Sequence, residues 1–365
     1  MKLRVGILGA TGAVGQKFIR LLEDHPWFEI TAVAASERSA GKPYHEAAHW
    51  IEDTPLPSAV ADLVVQECVP GLDCDFVFSG LDSSVAGHVE NAFAEAGYPV
   101  ISNAKNHRMD PDVPLLIPEV NPEHLVLVER QSFPDGGYIV TNPNCATVGL
   151  VVALKPLQDA FGIEAVHVTT MQALSGAGYP GVASLDATAN VIPFIRGEED
   201  KLETEPLRIL APLSDGPSVK LLDFGISAQC NRVPVIEGHT ECASVKLTGS
   251  PSIEQIRCAL DEWQAPAEVR ALPSSPEHCL WVDDAVAAPQ PRRDVHRGAG
   301  MTVSVGRVRP CPLYDVRFVV LSHNTVRGAA GGAILNAELL CTRGKLTHRS
   351  RCTGNRRPPR RIFGA

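Results

Sequence analysis

The chain has 365 residues, 44% of them hydrophobic and 21% charged, enough for a large core divided between two domains of ordinary globular composition. No window approaches the ~18 consecutive apolar residues of a membrane span, so no membrane partner is expected. The formal net charge of −9 is understated by a basic end: the last 25 residues hold seven arginines, one lysine and no acid, leaving −17 on the preceding 340, a body too acidic for a nucleic-acid partner.

The first half alternates strand and helix patterns. "LRVGILG" is an apolar strand rather than a basic-then-apolar leader, which points to a cytoplasmic protein. "TGAVGQKFIRLLEDH" follows with helical periodicity at Val14, Phe18, Leu21 and Leu22. Between them Gly9, Gly12 and Gly15 form GxxGxxG, a variant of the dinucleotide fingerprint. Glycines permit close backbone approach there, and a helix N-terminus offers free N–H groups to a pyrophosphate. "FEITAVAAS" is the second strand. At its end Ser36, Arg38 and Ser39 outnumber the single acid Glu37, which favours the 2′-phosphate of NADP over the bare ribose of NAD. Strands "DFVFSGLD" and "YPVISN" flank a helical run from Val85 to Ala96, and "GYIVTNPNC" closes this half. The alternation implies a parallel sheet with covering helices, a Rossmann-type α/β domain.

"TNPNCATVGLVVALKPL" then places Cys145 in the first turn of a helix capped by Asn144. The free N–H groups and dipole of that turn favour thiolate, and a protonated histidine nearby would do so further. "CNRVPVIEGHTE" supplies His239, with Arg232 brought towards the same pocket by extended backbone. Cys230, His239 and Cys242 do not match a zinc spacing, so no metal is expected. Cys68, Cys74, Cys258, Cys279 and Cys311 read as small core hydrophobes. Strands such as "AVHVTTMQAL" and "ECASVKL" suggest an antiparallel or mixed sheet in an α+β second domain. "VRGAAGGAILNAELL" reads as a late helix with small residues for close packing, and residues 342–365 as a disordered basic tail.

Together "GILGATGAVGQKF", "SERSAGK", "TNPNCATVGL", "MQALSGAGYPGV", "GEEDKLETE", "RVPVIEGHTE" and "LSHNTVRGAAGGAILNAEL" resemble, in order over about 340 residues, the archaeal and fungal branch of the aspartate-β-semialdehyde dehydrogenases. The resemblance implies NADPH-dependent reductive dephosphorylation of L-aspartyl 4-phosphate, a step towards lysine, threonine and methionine. It implies Cys145 as nucleophile, His239 as general acid/base and Gln172 as the residue orienting the acyl intermediate. Arg232 would hold the substrate carboxylate, Glu198 its amine, and Arg108 and Lys201 the phosphoryl group, with Asn144 beside the nucleophile. Gly9, Thr11, Gly12, Ala13, Val14, Gly15, Ser36, Arg38, Ser39, Ser79 and Gly80 would contact the cofactor, and Ser175, Gly176 and Asn324 its nicotinamide end. It also implies an NADP-binding domain over residues 1–143, completed by a C-terminal helix at about 324–341. Residues 144–323 would form a catalytic and dimerisation domain, assembled as a homodimer or homotetramer. Malonyl-CoA reductase uses the same thioester chemistry and is the nearest rival; N-acetylglutamyl-phosphate reductase fits less well. A catalytically silent NADP-binding regulator is the rival of another class, and retention of Cys145 with His239 counts against it.

Overall fold

The computed structural model describes residues 1–213 and 219–349. Its first sheet is entirely parallel, in the order β3-β2-β1-β4-β5-β6. The strands are β1 (Leu3–Leu8), β2 (Phe28–Ala35), β3 (Gln66–Glu67), β4 (Phe76–Ser79), β5 (Pro99–Ser102) and β6 (Tyr138–Thr141). This is the doubly wound order of dinucleotide-binding domains, whose ligands lie beyond the carboxyl ends of the strands where the order reverses, here between β1 and β4. Helices α1 (Ala13–Leu22) and α2 (Ser83–Glu95) cover it.

Helix α3 (Cys145–Ala160) carries the chain from β6 to the second sheet. That sheet comprises β7 (Ile163–Gln172), β8 (Gly225–Arg232), β9 (His239–Leu247), β10 (Leu280–Asp283), β11 (Val303–Pro310) and β12 (Val316–Ser322). It is mixed, in the order β10-β11-β12-β9-β7-β8, with parallel pairs only at its two edges. Along β9 every second residue from His239 to Leu247 is buried. The buried face packs on α3, where Val148, Val151, Val152 and Leu154 share a core with Val168, Val245 and Phe318. Helix α4 (Glu198–Ile209) packs beside α3 and β8.

The late helix departs from a plain α-helical reading. Val326–Ala330 form a π-helical turn, and only from Gly331 to Thr342 is the segment α-helical, as α5. Ile334, Leu335, Leu339 and Leu340 of α5 join the core of the first sheet with Val5, Ile7 and Phe18. The first residues of the expected tail are packed as well. His348 Nδ1 lies 3.0 Å from Asp75 Oδ2, and the Arg349 guanidinium sits 3.5 Å from the centre of the Tyr98 ring. Residues 350–365 of that tail lie outside the described residues. The nine described cysteines are all free, and Cys258 is exposed rather than a core residue because its helix turns that face to solvent.

Candidate active site

The glycine loop and the thiol meet because β1 and β6 both end at the carboxyl edge of the first sheet. Gly9 takes φ +77°, which L side chains rarely adopt, and a Cβ there would press on the Gly80 carbonyl at 2.9 Å. Gly12 caps α1 with no side-chain hydrogen bond, so the N–H groups of its first turn remain open to a ligand. Ala13 and Val14 of that turn line a cleft of about 370 Å³ that continues to Asn144, Cys145, Arg108, Glu198 and Lys201. Ser175, Gly176 and Asn324 line the same cleft. A dinucleotide fits this arrangement: an uncapped helix end faces the cleft, and a glycine carries the turn.

Other expected cofactor residues are placed differently. Thr11 follows the β1 turn and its carbonyl accepts from Gln16 Nε2 at 3.0 Å. Ser36, Arg38 and Ser39 follow β2, beside the glycine loop but outside the lining of the cleft, and the Arg38 side chain is exposed. Ser79 is fully buried and its hydroxyl donates to Glu90 Oε1 at 2.5 Å. Its side chain therefore serves the sheet interior, which leaves its backbone for the expected cofactor contact. Gly80 continues the β1–β4 seam, its N–H donating to the Leu8 carbonyl at 2.9 Å.

Asn144 caps α3 as expected, its Oδ1 accepting from the N–H groups of Ala146 and Thr147 at 3.0 and 3.3 Å. Cys145 Sγ then lies 3.2 Å from His239 Nε2. The other ring nitrogen, Nδ1, accepts the Ala173 backbone N–H at 3.1 Å. An accepting Nδ1 carries no proton, so the proton of a neutral ring sits on Nε2 and faces the sulfur. Burial pushes the His239 pKa down to about 3, with Arg232 adding to the effect. Burial likewise pushes the Cys145 thiol up to about 12, and Glu198 raises it further against the opposing pull of Lys201, Arg108 and Arg232. Both shifts act against the expected thiolate beside a protonated histidine, so burial opposes what the helix terminus favours.

Around this pair the other expected residues converge. Glu198 is buried and accepts from Asn144 Nδ2 at 2.9 Å and Gln172 Nε2 at 3.3 Å, and it pairs with Lys201. Burial raises its pKa, but Lys201 and these donors outweigh burial and keep it ionised. Gln172 faces Glu198 in this arrangement, with no hydrogen bond to the thiol. Arg232 Nη1 donates to the Ala173 carbonyl at 2.6 Å. A Cβ on Gly176 would stand 2.8 Å from Arg232 Nη1 and 3.0 Å from His239 Cε1, so only glycine fits that wall. Asn324 bridges the Gly238 N–H at 2.9 Å and Ser175 Oγ at 2.8 Å.

Three features of the site were not read from the sequence. Glu205, buried on α4, accepts from the Asn144 N–H and from Arg108 Nη1, both at 2.8 Å. It lies seven residues after Glu198 on the helix face that carries Lys201, and that spacing was the available signal. Gly328, in the π-helical turn, has no room for a side chain because a Cβ would sit 2.8 Å from Cys145 Cα. The Ala173 amide acts through its backbone and leaves no mark on residue type.

Comparison with known proteins agrees with this geometry. Residues 4–128 match the family model "semialdehyde dehydrogenase, NAD binding domain", and residues 154–327 match "semialdehyde dehydrogenase, dimerisation domain". The aspartate-semialdehyde dehydrogenase of Archaeoglobus fulgidus is 51% identical over 343 residues, 93% of this chain and 98% of that protein. That of Saccharomyces cerevisiae is 49% identical over 355 residues, covering 93% and 97%. The crystal structure of the Candida albicans enzyme with NADP superposes with a TM-score of 0.88 at 46% identity, covering 95% of this chain and all of that one. Aspartate semialdehyde dehydrogenase II of Vibrio cholerae, complexed with ASA, gives 0.74 at 29% identity, covering 94% and 99%.

Proposed function

The chain belongs to the aspartate-semialdehyde dehydrogenase family, and from that premise we propose how its own residues convert L-aspartyl 4-phosphate to L-aspartate 4-semialdehyde through a thioester on Cys145. The observation that carries this reading is the Cys145–His239 pair, 3.2 Å apart, in a cleft that also reaches the uncapped end of α1. Arg232 binds the substrate carboxylate, Glu198 its ammonium, and Arg108 with Lys201 the phosphoryl group. Gln172 holds Glu198 in place. The Cys145 sulfur attacks the acyl carbon, the C–O bond to phosphate breaks, and the thiol proton leaves with the phosphate dianion as hydrogen phosphate. The ammonium at Glu198 offsets a negative charge that otherwise opposes ionisation of the thiol. NADPH, bound over Gly9–Gly15 with its nicotinamide end at Ser175, Gly176 and Asn324, supplies the hydride.

His239 acts in this scheme as a neutral donor. Its Nε2–H holds the oxyanion that develops on the former acyl carbon and then the sulfur as the carbon–sulfur bond breaks. The oxyanion collapses to the aldehyde without taking a proton, and the released thiolate regains one from solvent. This takes the donor half of the general acid/base role implied by resemblance, since Nδ1 accepts from Ala173 and leaves the ring proton on Nε2. The pH profile of kcat/KM should accordingly lack an imidazole pKa near 6.5.

Arg38 meets the 2′-phosphate of NADP. Copies of the chain associate through the second domain as a homodimer or a dimer of dimers, consistent with the dimerisation-domain match, and work in the cytoplasm. No helix among the described residues is long and apolar enough to cross a membrane. The direct test supplies aspartate semialdehyde, phosphate and NADP and follows reduced nicotinamide, with malonyl-CoA and NADPH run in parallel. Turnover of the first mixture is expected. Turnover of malonyl-CoA alone would overturn the amino-acid reading, which rests on the carboxylate of Glu198.

A further inference from the structure

A second cluster of side chains lies outside the chemistry described above. Glu237 precedes Gly238 in the loop between β8 and β9, His323 follows β12, and His296 lies just beyond residues Pro291–Asp294. Glu237 Oε2 and His323 Nε2 are 3.1 Å apart. The His296 and His323 rings have centroids 5.4 Å apart with planes inclined by 60°. One donor atom from each of the three residues falls within 4.8 Å of the others.

We propose that Glu237, His296 and His323 form a binding site for a divalent transition-metal ion such as zinc or cobalt. Two imidazoles and one carboxylate suit this class of ion, whereas calcium and magnesium require more oxygen donors. The site is open on the His296 side, which is exposed, and closed behind His323, which is 1% exposed. The ion thus has an entry path and a free coordination position.

The two carboxylate oxygens of Glu237 face different partners. Oε1 accepts from Thr325 Oγ1 at 3.1 Å and lies 3.5 Å from Lys17 Nζ, which is itself paired with Glu52 at 2.7 Å. Oε2 is turned to His323, so the ion takes the oxygen remote from the lysine. Burial works to raise the Glu237 pKa, but His323, Lys17 and Thr325 outweigh it and hold the carboxyl at about 2, ionised and ready to ligate. The His323 ring is held from behind, its Nδ1 accepting the Val326 backbone N–H and facing Thr325 Oγ1, both at 3.4 Å, which orients Nε2 towards Glu237. A Glu237–His323 ion pair is complete without His296, whose ring nitrogens have no hydrogen-bond partner among the described residues. His296 is therefore the residue that separates a metal site from a salt bridge.

Location gives the site a reach into the cleft. Thr325 lines it, and Asn324, next to His323, ties Gly238 to Ser175. An ion would pin three separate segments behind the nicotinamide end of the cofactor site.

The test uses the full chain carrying Cys145→Ser, so that the active-site sulfur offers no competing thiolate. Cobalt(II) is titrated while its visible d–d absorption and the thermal midpoint are followed. One equivalent should bind with a spectrum of four- or five-coordinate cobalt and a raised midpoint. His296→Ala, at an exposed position, should fold normally, weaken cobalt binding at least tenfold and abolish the rise; Glu237→Gln should also weaken it at least tenfold. With Cys145 restored and metal removed, His296→Ala should keep its turnover within twofold. Absence of saturable binding, or binding unchanged in His296→Ala, would overturn the proposal without touching the assignment of Cys145.

Discussion

Glu205→Gln isolates a residue that touches no reacting atom. One carboxylate oxygen holds the Asn144 N–H, and the other holds Arg108 Nη1, each at 2.8 Å. The substitution keeps the shape but removes the charge, and an amide can accept at only one of the two positions. If its oxygen serves Asn144, its NH₂ group confronts the buried guanidinium. If the oxygen serves Arg108, the cap residue of α3 loses its anchor. Either way one charge-assisted hydrogen bond is lost, worth ~1.5–3 kcal/mol. At about 1.4 kcal/mol per factor of ten, that corresponds to roughly 10–150-fold if the full loss appears in the transition state. Assayed with aspartate semialdehyde, phosphate and NADP, the variant should lose at least tenfold in kcat. Its phosphate KM should rise about tenfold, because Arg108 is the misplaced group, while the Kd for NADP stays within twofold. A variant whose kcat and phosphate KM both remain within twofold of the parent would refute the reasoning.

Arg38→Ala should raise the KM for NADP by ~10–100-fold and leave that for NAD nearly unchanged, since a lost phosphate pair costs about 1.5–3 kcal/mol; equal changes would exclude a 2′-phosphate contact. Gly328→Ala inserts a methyl 2.8 Å from Cys145 Cα and Cβ. It should lower stability by ~1–3 kcal/mol and kcat at least tenfold, read by denaturant titration and steady-state kinetics. Glu241 is fully buried, both its carboxylate oxygens lack partners, and burial raises its pKa well above the ordinary value. The unfolded chain gives up this proton above about pH 4.5 and the folded one retains it, so its contribution to stability is fully present at low pH and falls by up to ~1.4 kcal/mol per unit as pH rises. Glu241→Gln should remove that slope, gaining on the parent between pH 5 and pH 7 in urea titrations; a pH-independent difference would contradict it.

The legible parts of this protein are those that one short segment determines. Strands β4, β5 and β6 and the end of β1 are buried on both faces and read as apolar runs, and the glycine loop sits between β1 and a helix. The second sheet is harder, because β7 pairs with β8 and β9 across a long intervening segment that contains α4. The alternation along β9 showed a strand and gave no partner. Cys145, its cap and His239 stand out by residue type, but their protonation does not. A helix N-terminus argues for a thiolate, and only the folded surroundings bring in the burial that opposes it. The small-residue run 328–333 suggested close packing, yet the partner it approaches, the first turn of α3, is far away in sequence. Glu205 was within reach through its spacing from Glu198. The Ala173 amide was not, since any residue but proline supplies an N–H.

The account stands on covalent capture by one sulfur, and a quench experiment addresses that directly. The protein is mixed with L-aspartyl 4-phosphate without NADPH, stopped in acid within a turnover time, digested, and its Cys145 peptide weighed. The account predicts one aspartyl group on that peptide, attached through a bond that hydroxylamine cleaves, and its disappearance when NADPH is added before the quench. An unmodified Cys145 peptide from protein that still forms aldehyde once NADPH is present would contradict it.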